Sequence, residues 1–140
     1  MTPRFLLTGA SGYVGGRLLP LLQQRGLAVR CLARQPEFLK PRVAAGTEIV
    51  AADVMDRTSL DAAMTGIRTA YFQVHSMGSE GRFDELDRQG AANFAAAARA
   101  AGVTRIIYLG GLGESDAELS THLRSRHEVG EVLRRDAGDM

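Results

Sequence analysis

Three glycines spaced three apart, in Thr8-Gly9-Ala10-Ser11-Gly12-Tyr13-Val14-Gly15, constrain this chain more than any other feature. They stand between a short apolar run, Phe5-Leu6-Leu7, and a segment whose apolar residues recur at helical spacing. Flanked by Arg4 and Thr8-Gly9, the run suits a strand buried on both faces. From Tyr13 to Arg25 the positions Val14, Leu18, Leu21 and Leu22 form the predicted stripe, and Gly26 follows as a stop signal. Pro20 interrupts that stripe, and an interior proline costs ~3 kcal/mol, so a kinked helix is expected. Each glycine then has a physical task. Gly9 allows an otherwise strained turn, Gly12 lets the main chain approach a ligand, and Gly15 lets the helix lie close to the sheet.

The same alternation continues along the chain. Strands are predicted over Ala28–Ala33, Thr47–Ala51, Ala70–Val74 and Arg105–Leu109. Between Pro36 and Pro41 there is room for one short helical turn. Asp56 can cap a helix over Arg57–Met64, which Gly66 closes. A long helix is predicted over Phe83–Ala101, ended by Gly102, with the stripe Phe83, Leu86, Gly90, Phe94 and Ala97. Gly90 should weaken it by ~1 kcal/mol unless close packing requires a glycine there. The run Ala95–Ala98 reads simply as strong helix former. A last helix is predicted over about Leu119–Asp136. Strand and helix alternating about five times predict an α/β fold, a doubly wound parallel sheet with helices on both faces.

Composition narrows the partners. The 140 residues carry 17 Lys+Arg against 16 Asp+Glu, a net charge of +1, and 45% of them are hydrophobic. That balance supports a packed core and argues against disorder. A single domain of this length buries roughly 70% of the surface its unfolded chain exposes. No basic excess or Lys/Arg run points to nucleic acid. The single cysteine, Cys31, excludes an intrachain disulfide and a zinc-type cysteine cluster, so no metal site is expected. A lone thiol suits a reducing compartment, and a cytoplasmic location is expected. The N-terminal residues lack the pattern of a signal peptide, and no stretch reaches the ~18–20 apolar residues that span a bilayer, so no membrane partner is expected.

A glycine loop between a strand and a helix has two readings. One is a tight structural turn. The favoured one is a dinucleotide site, because the helix N-terminus offers unpaired N–H groups and a partial positive charge to a pyrophosphate. On that reading Gly9, Ser11, Gly12, Tyr13, Val14 and Gly15 surround the phosphates. Arg34 stands nineteen residues beyond Gly15, past the second strand, where the adenosine ribose reaches. A carboxylate there favours NAD, and an arginine pairs with the 2′-phosphate of NADP. NADP(H) is therefore expected over NAD(H), with Arg30 adding positive charge; the alternative for Arg34 is a solvated strand-end arginine. Asp53 can accept from the adenine amino group while Val54 packs on the ring, or Asp53 can cap its own loop. Gln73, Val74, His75 and Ser76 line the crevice toward the nicotinamide ribose, where His75 can donate to a ribose, although a lone histidine at a strand end is more often a satisfied structural residue.

Together these pieces resemble the atypical short-chain dehydrogenase/reductase superfamily, and within it the NmrA-like NAD(P)H-binding branch. The matching segments are TGASGYVG at 8–15, VRCLAR at 29–34, the turn Ala52-Asp53-Val54, the long helix with Gly90 and Asn93, and RIIYLGGLG at 105–113. The resemblance covers nearly the whole chain. It implies an NAD(P)-binding Rossmann fold of about five strands, with the cofactor across the strand C-termini. It also implies hydride transfer to a carbonyl, a quinone or an activated double bond of a small-molecule substrate.

The resemblance also marks two departures. Reductases of this superfamily carry a Tyr-x-x-x-Lys pair at the start of the helix after the fifth strand, the tyrosine as proton donor. Here the corresponding stretch is His122-Leu123-Arg124-Ser125-Arg126, so His122 stands for the tyrosine and Arg126 for the lysine. Histidine can act as an acid near neutral pH, and arginine can hold a ribose hydroxyl but is not a tunable donor. The alternative for both is a solvated helix face. Relatives also continue into a sixth strand and a substrate-binding segment. Residues 1–140 are therefore expected to be a Rossmann domain lacking its C-terminal strands and substrate segment. Two functions follow: the cofactor-binding part of a reductase, or a module that senses NADP(H) without turnover and acts through a protein partner. The long helix resembles the one through which many superfamily members form homodimers, while its one apolar face predicts core packing equally well.

Overall fold

The computed structural model describes residues 3–73, 83–109 and 121–138. In chain order these form β1 (Phe5–Thr8), α1 (Tyr13–Gln24), β2 (Val29–Ala33), α2 (Pro36–Leu39), a 3-10 turn (Lys40–Arg42) and β3 (Glu48–Ala51). Then follow α3 (Arg57–Ala63), β4 (Thr69–Phe72), α4 (Phe83–Ala101), β5 (Arg105–Tyr108) and α5 (Thr121–Ala137). The elements are those that the periodicity predicts, with ends displaced by a residue or two. The stretch between Pro36 and Pro41 forms α2 and leads into the 3-10 turn.

All five strands are parallel, in the order β3-β2-β1-β4-β5. β1 is central, with Leu7 opposite Cys31 on β2 and Tyr71 on β4. This is the strand order of the Rossmann fold, in which the chain departs in opposite directions from a switch point at β1. Side chains alternate across the sheet, so Leu6 and Leu7 enter different cores. Leu6 packs with Leu60 of α3, Phe94 of α4 and Val129 of α5. Leu7 packs with Leu19 and Leu22 of α1 and Leu39 of α2.

Packing turns α1 away from part of its predicted stripe, while Gly90, Phe94 and Ala97 of the α4 stripe are buried as predicted. α1 buries Gly15, Leu19 and Leu22, whereas Val14 and Leu21 are exposed. The reason lies in the glycine loop. A Cβ on Gly15 would sit 2.1 Å from the Gly9 carbonyl oxygen, so this face of the helix must turn toward the loop. Pro20 falls on the exposed side, and α1 continues for four residues beyond it. In α4 the alanine run is core rather than mere helix former: Ala95, Ala97 and Ala98 are fully buried. Small side chains there let α4 lie close to its neighbours, and Phe94 packs against Phe72 of β4 with ring centroids 4.7 Å apart and planes tilted by 55°.

Gly90 has the packing reason that the sequence demanded. A Cβ there would approach Val54 Cγ2 to 2.9 Å. One turn further along α4, the Asn93 side-chain amide donates to the Val54 carbonyl at 2.8 Å. The β3–α3 turn is thus pinned to α4. Asp56 caps α3 as predicted, its carboxylate accepting from the Ser59 N–H at 3.4 Å.

Arg30 departs from expectation. Its guanidinium donates to Glu48 at 2.9 Å and to the carbonyls of Ala63 and Thr65 at 2.7 and 2.8 Å. It lies near the start of β2, so its charge is committed to the end of α3 and does not join Arg34 beyond the strand's C-terminus.

Candidate functional site

β1 ends in Thr8, which is fully buried. Its hydroxyl donates to the Tyr71 carbonyl at 2.8 Å and accepts from the Gln73 N–H at the same distance. The ends of β1 and β4 are joined by one side chain, which fixes the mouth of the crevice between them. Nothing in the periodicity singles out this residue; a hydroxyl at a strand end beside a glycine turn is the available signal.

Beyond Thr8 the backbone turns at Gly9, whose φ of +70° is the left-handed conformation that favours glycine. A Cβ on Gly9 would also lie 2.8 Å from the Gln73 carbonyl oxygen. The loop closes with the Gly12 N–H donating to the Gly9 carbonyl at 3.0 Å. α1 then begins at Tyr13 with Gly12 as its N-cap, no side-chain cap and no acidic residue in its first turn. Its leading N–H groups and positive end therefore face the loop without an internal carboxylate to offset them. Tyr13 is exposed at the loop's outer side, where the Arg17 guanidinium lies 3.7 Å from its ring centroid.

Gly9, Ser11, Gly12, Arg34, Asp53, Val54 and Gln73 all line one cleft of about 750 Å³ along the C-terminal ends of the strands. Its volume falls in the roughly 300–1,000 Å³ range of small-molecule sites. Tyr13, Val14 and Gly15 stand just behind it at the loop–helix junction. Arg34 is exposed at the β2 end of the cleft. A second guanidinium lies on the same side, with Arg42 Nη1 3.4 Å from the Ser11 carbonyl. Asp53 Oδ1 accepts from the Met55 N–H at 2.9 Å, so the carboxylate caps its own turn while lining the cleft. Gly9 and Gly15 let the loop close tightly against Gln73 and the first turn of α1, and α1 presents its positive end to the cleft. The residues present fit a dinucleotide.

Spacing alone did not reveal three further contributors to the cleft. Phe38 of α2 is an aromatic ring 67% exposed at the β2 side, and Met55 is 41% exposed beyond β3. Asp87 of α4 is a buried carboxylate on the back wall. An acid beside Leu86 and one turn before Gly90, on an otherwise apolar stripe, was its signal in the sequence.

Of the nicotinamide-side residues, Val74, His75 and Ser76 lie outside the described residues. So does the side chain of His122. Arg126 is half-buried on α5 and does not line the cleft. Its carbonyl accepts from the Tyr108 hydroxyl at 3.1 Å. Burial pushes the Tyr108 phenol up to about 12, with Asp87 adding to the shift and Arg126 opposing it. Tyr108 does not line the cleft.

Known proteins agree with this architecture. The chain is 34% identical over 133 residues to the (4-alkanoyl-5-oxo-2,5-dihydrofuran-3-yl)methyl phosphate reductase of Streptomyces griseus subsp. griseus, matching 95% of this chain and 43% of that protein. The NADPH complex of an NADPH-dependent quinone oxidoreductase from Escherichia coli superposes with a TM-score of 0.78 at 25% identity, covering 96% of this chain and 46% of that one. Triphenylmethane reductase from Citrobacter sp., complexed with NADP(H), shares the fold with a TM-score of 0.79 at 22% identity, over 94% of this chain and 45% of that one. The chain thus spans less than half the length of each. Residues 9–137 match the family model described as NAD(P)H-binding, and the chain belongs to that family.

Proposed function

We propose that this chain is the cofactor-binding portion of an NADPH-dependent reductase of small molecules, with the dinucleotide lying along the cleft from Arg34 to Gln73. One observation carries the reading: the Gly9–Gly15 approach sets an uncapped, unopposed helix N-terminus at the middle of a cleft that has an exposed arginine at one end. In this arrangement the N–H groups of the loop and of the first turn of α1 hold the pyrophosphate. Arg34 pairs with the adenosine 2′-phosphate, with Arg42 close enough to add charge. Val54, Phe38 and Met55 offer apolar contact to the adenine, and Asp53 accepts from its amino group with lone pairs that the Met55 N–H leaves open. When bound, the reduced nicotinamide supplies a hydride for a carbonyl, a quinone or an activated double bond. The relative from Streptomyces griseus is named as a reductase, which supports that class of reaction. His122 is proposed, from the resemblance alone, as the counterpart of the superfamily's tyrosine and so as proton donor, with Arg126 four residues on as the counterpart of its lysine although it lies outside the cleft described above. The domain is proposed as the N-terminal portion of a longer enzyme, which would supply the rest of the substrate site.

The test is a pair of titrations. NADPH should bind more tightly than NADH, and Arg34→Ala should lose about tenfold in NADPH affinity with NADH unchanged, because a charge-assisted phosphate contact contributes ~1.5–3 kcal/mol. Equal affinities in the wild type would remove the NADP(H) assignment. A second reading rests on the absence of a Tyr-x-x-x-Lys pair: a sensor that binds NADP(H) and acts through a protein partner. Tight NADPH binding by the full-length protein, with no oxidation across quinones and aldehydes, would favour it.

A further inference from the structure

The peptide unit between Ser11 and Gly12 is held from both sides. Its N–H belongs to Gly12 and donates to the Gly9 carbonyl at 3.0 Å, which closes the glycine loop. Its carbonyl belongs to Ser11 and accepts from the Arg42 guanidinium, with Nη1 3.4 Å from the oxygen. The N–H and C=O of a trans peptide point in opposite directions, so the two bonds together fix the plane of the unit. Arg42 reaches the loop from a separate part of the chain, 31 residues further on.

The segment that carries Arg42 is stiff and anchored. Pro36 opens α2 and Pro41 lies within the 3-10 turn, and each ring fixes its own φ. Leu39, between them, is buried in the same core as Leu7 and Leu19. Phe38 and Leu39 line the cleft together with Gly9, Ser11 and Gly12, so the guanidinium joins one wall of the cleft to the glycine loop. Among the described residues no carboxylate forms an ion pair with Arg42, so no acid draws it from the loop.

A contact of this length between exposed groups contributes little to the stability of the fold. Its effect falls on the loop. Without Arg42 the Ser11–Gly12 peptide turns against a single bond, and Gly12 has no side chain to oppose the rotation. A loop that must be ordered when its ligand arrives binds less tightly than one already in place.

We propose, resting on the cofactor-cleft reading above, that Arg42 is a positioning residue. It holds the Ser11–Gly12 peptide so that the glycine loop is shaped for a pyrophosphate before the dinucleotide arrives. This role concerns every dinucleotide, with or without a 2′-phosphate, and is separate from the charge that Arg42 adds at the adenosine end.

The experiment titrates three probes. NADH carries a pyrophosphate and no 2′-phosphate, NADPH carries both, and adenosine 2′-phosphate carries no pyrophosphate. Arg42→Met keeps much of the stem and removes the donor; Arg42→Lys keeps a charged donor. In Arg42→Met the NADH affinity should fall about threefold, and NADPH should lose more than adenosine 2′-phosphate. Arg42→Lys should recover part of the NADH loss. Amide hydrogen exchange at Gly12, followed by NMR without ligand, should be faster in Arg42→Met than in the wild type. Thermal unfolding checks that each variant is folded. Unchanged NADH affinity in Arg42→Met would overturn the proposal and leave Arg42 as a charge for the 2′-phosphate alone. Equal losses of NADPH and adenosine 2′-phosphate would overturn it too, as would a Gly12 amide that still exchanges at the wild-type rate. A wild-type protein that binds neither NADH nor NADPH removes the cofactor-cleft reading and this proposal together. Wild-type binding of both with an indifferent Arg42→Met removes this proposal alone.

Discussion

The missing side chain at one position of α4 sets how closely that helix approaches the β3–α3 turn. Gly90 sits where a Cβ would come within 2.9 Å of Val54 Cγ2, and valine is stiff about its first side-chain torsion. Alanine at Gly90 should gain ~1 kcal/mol of helix propensity and lose about 1–3 kcal/mol to overpacking, a net destabilisation. In a double-mutant cycle Val54→Ala should rescue Gly90→Ala, giving a coupling energy above about 0.5 kcal/mol in urea unfolding; simple additivity would show that the two do not compete for space. Two buried groups predict the alkaline limb of stability. Burial raises the Cys31 thiol from 9.0 to about 11 and, as the largest cause, the Tyr108 phenol from 10.0 to about 12. Both remain protonated in the fold after the unfolded chain has ionised. Their contribution is complete below about pH 9 and is lost as pH rises toward 12. Urea midpoints measured from pH 9 to 12 should fall, and Tyr108→Phe should flatten the upper part of that decline.

Between elements, two arginines four residues apart do different work. Arg30, near the start of β2, closes the C-terminal carbonyls of α3 and pairs with Glu48 on β3. Arg34, past the end of the same strand, stands at the cleft. Replacing Arg30 with Met should cost about 1–3 kcal/mol in unfolding free energy, because it leaves carbonyl acceptors without their donor. NADPH affinity should not change. Arg34→Ala should do the reverse, so calorimetry of stability and binding on both variants separates the roles. Their different fates follow from strand polarity: in a parallel sheet all C-termini share one edge, and a residue's distance along the strand decides which edge it serves. The α4–α5 pair obeys the same logic. Asp87–Ser125 and Arg88–Glu128 join residues forty or so apart in sequence, and neither pair is visible as a local pattern.

At the scale of the molecule, the cleft runs across the C-terminal ends of the strands and draws on both layers of helices. Anything that binds there should stabilise the whole fold by mass action. At NADPH concentrations a hundredfold above Kd the gain should be about 2.7 kcal/mol, or roughly 10 °C in Tm, and 2′,5′-ADP at the same multiple of its own Kd should give the same gain. No shift with either nucleotide would separate the cleft from the cofactor. Among the described residues no helix is long and apolar enough to cross a membrane.

Local chemistry made much of this legible from the residues alone. The order of strands and helices, the turn at Gly9, the cap at Asp56 and the steric demand at Gly15 all depend on neighbours within a few positions, and periodicity reports such relations directly. Half of the α1 stripe is ambiguous in the sequence, because Leu21 and Val14 are as apolar as the buried Leu19 and Leu22. Only contact with the Gly9 carbonyl chooses between the two stripes. The need for glycine at position 90, the burial of the alanine run, the diversion of Arg30 and the meeting of Asp87 with Ser125 are set by tertiary structure. Each depends on where a distant element comes to rest, which is decided by how two cores pack on opposite faces of one sheet. Residue order alone placed a glycine turn between the first strand and the first helix of a parallel α/β sheet. Which charged groups line the cleft beside that turn was decided only by the tertiary structure, because the strands' C-terminal ends meet at one edge of the sheet.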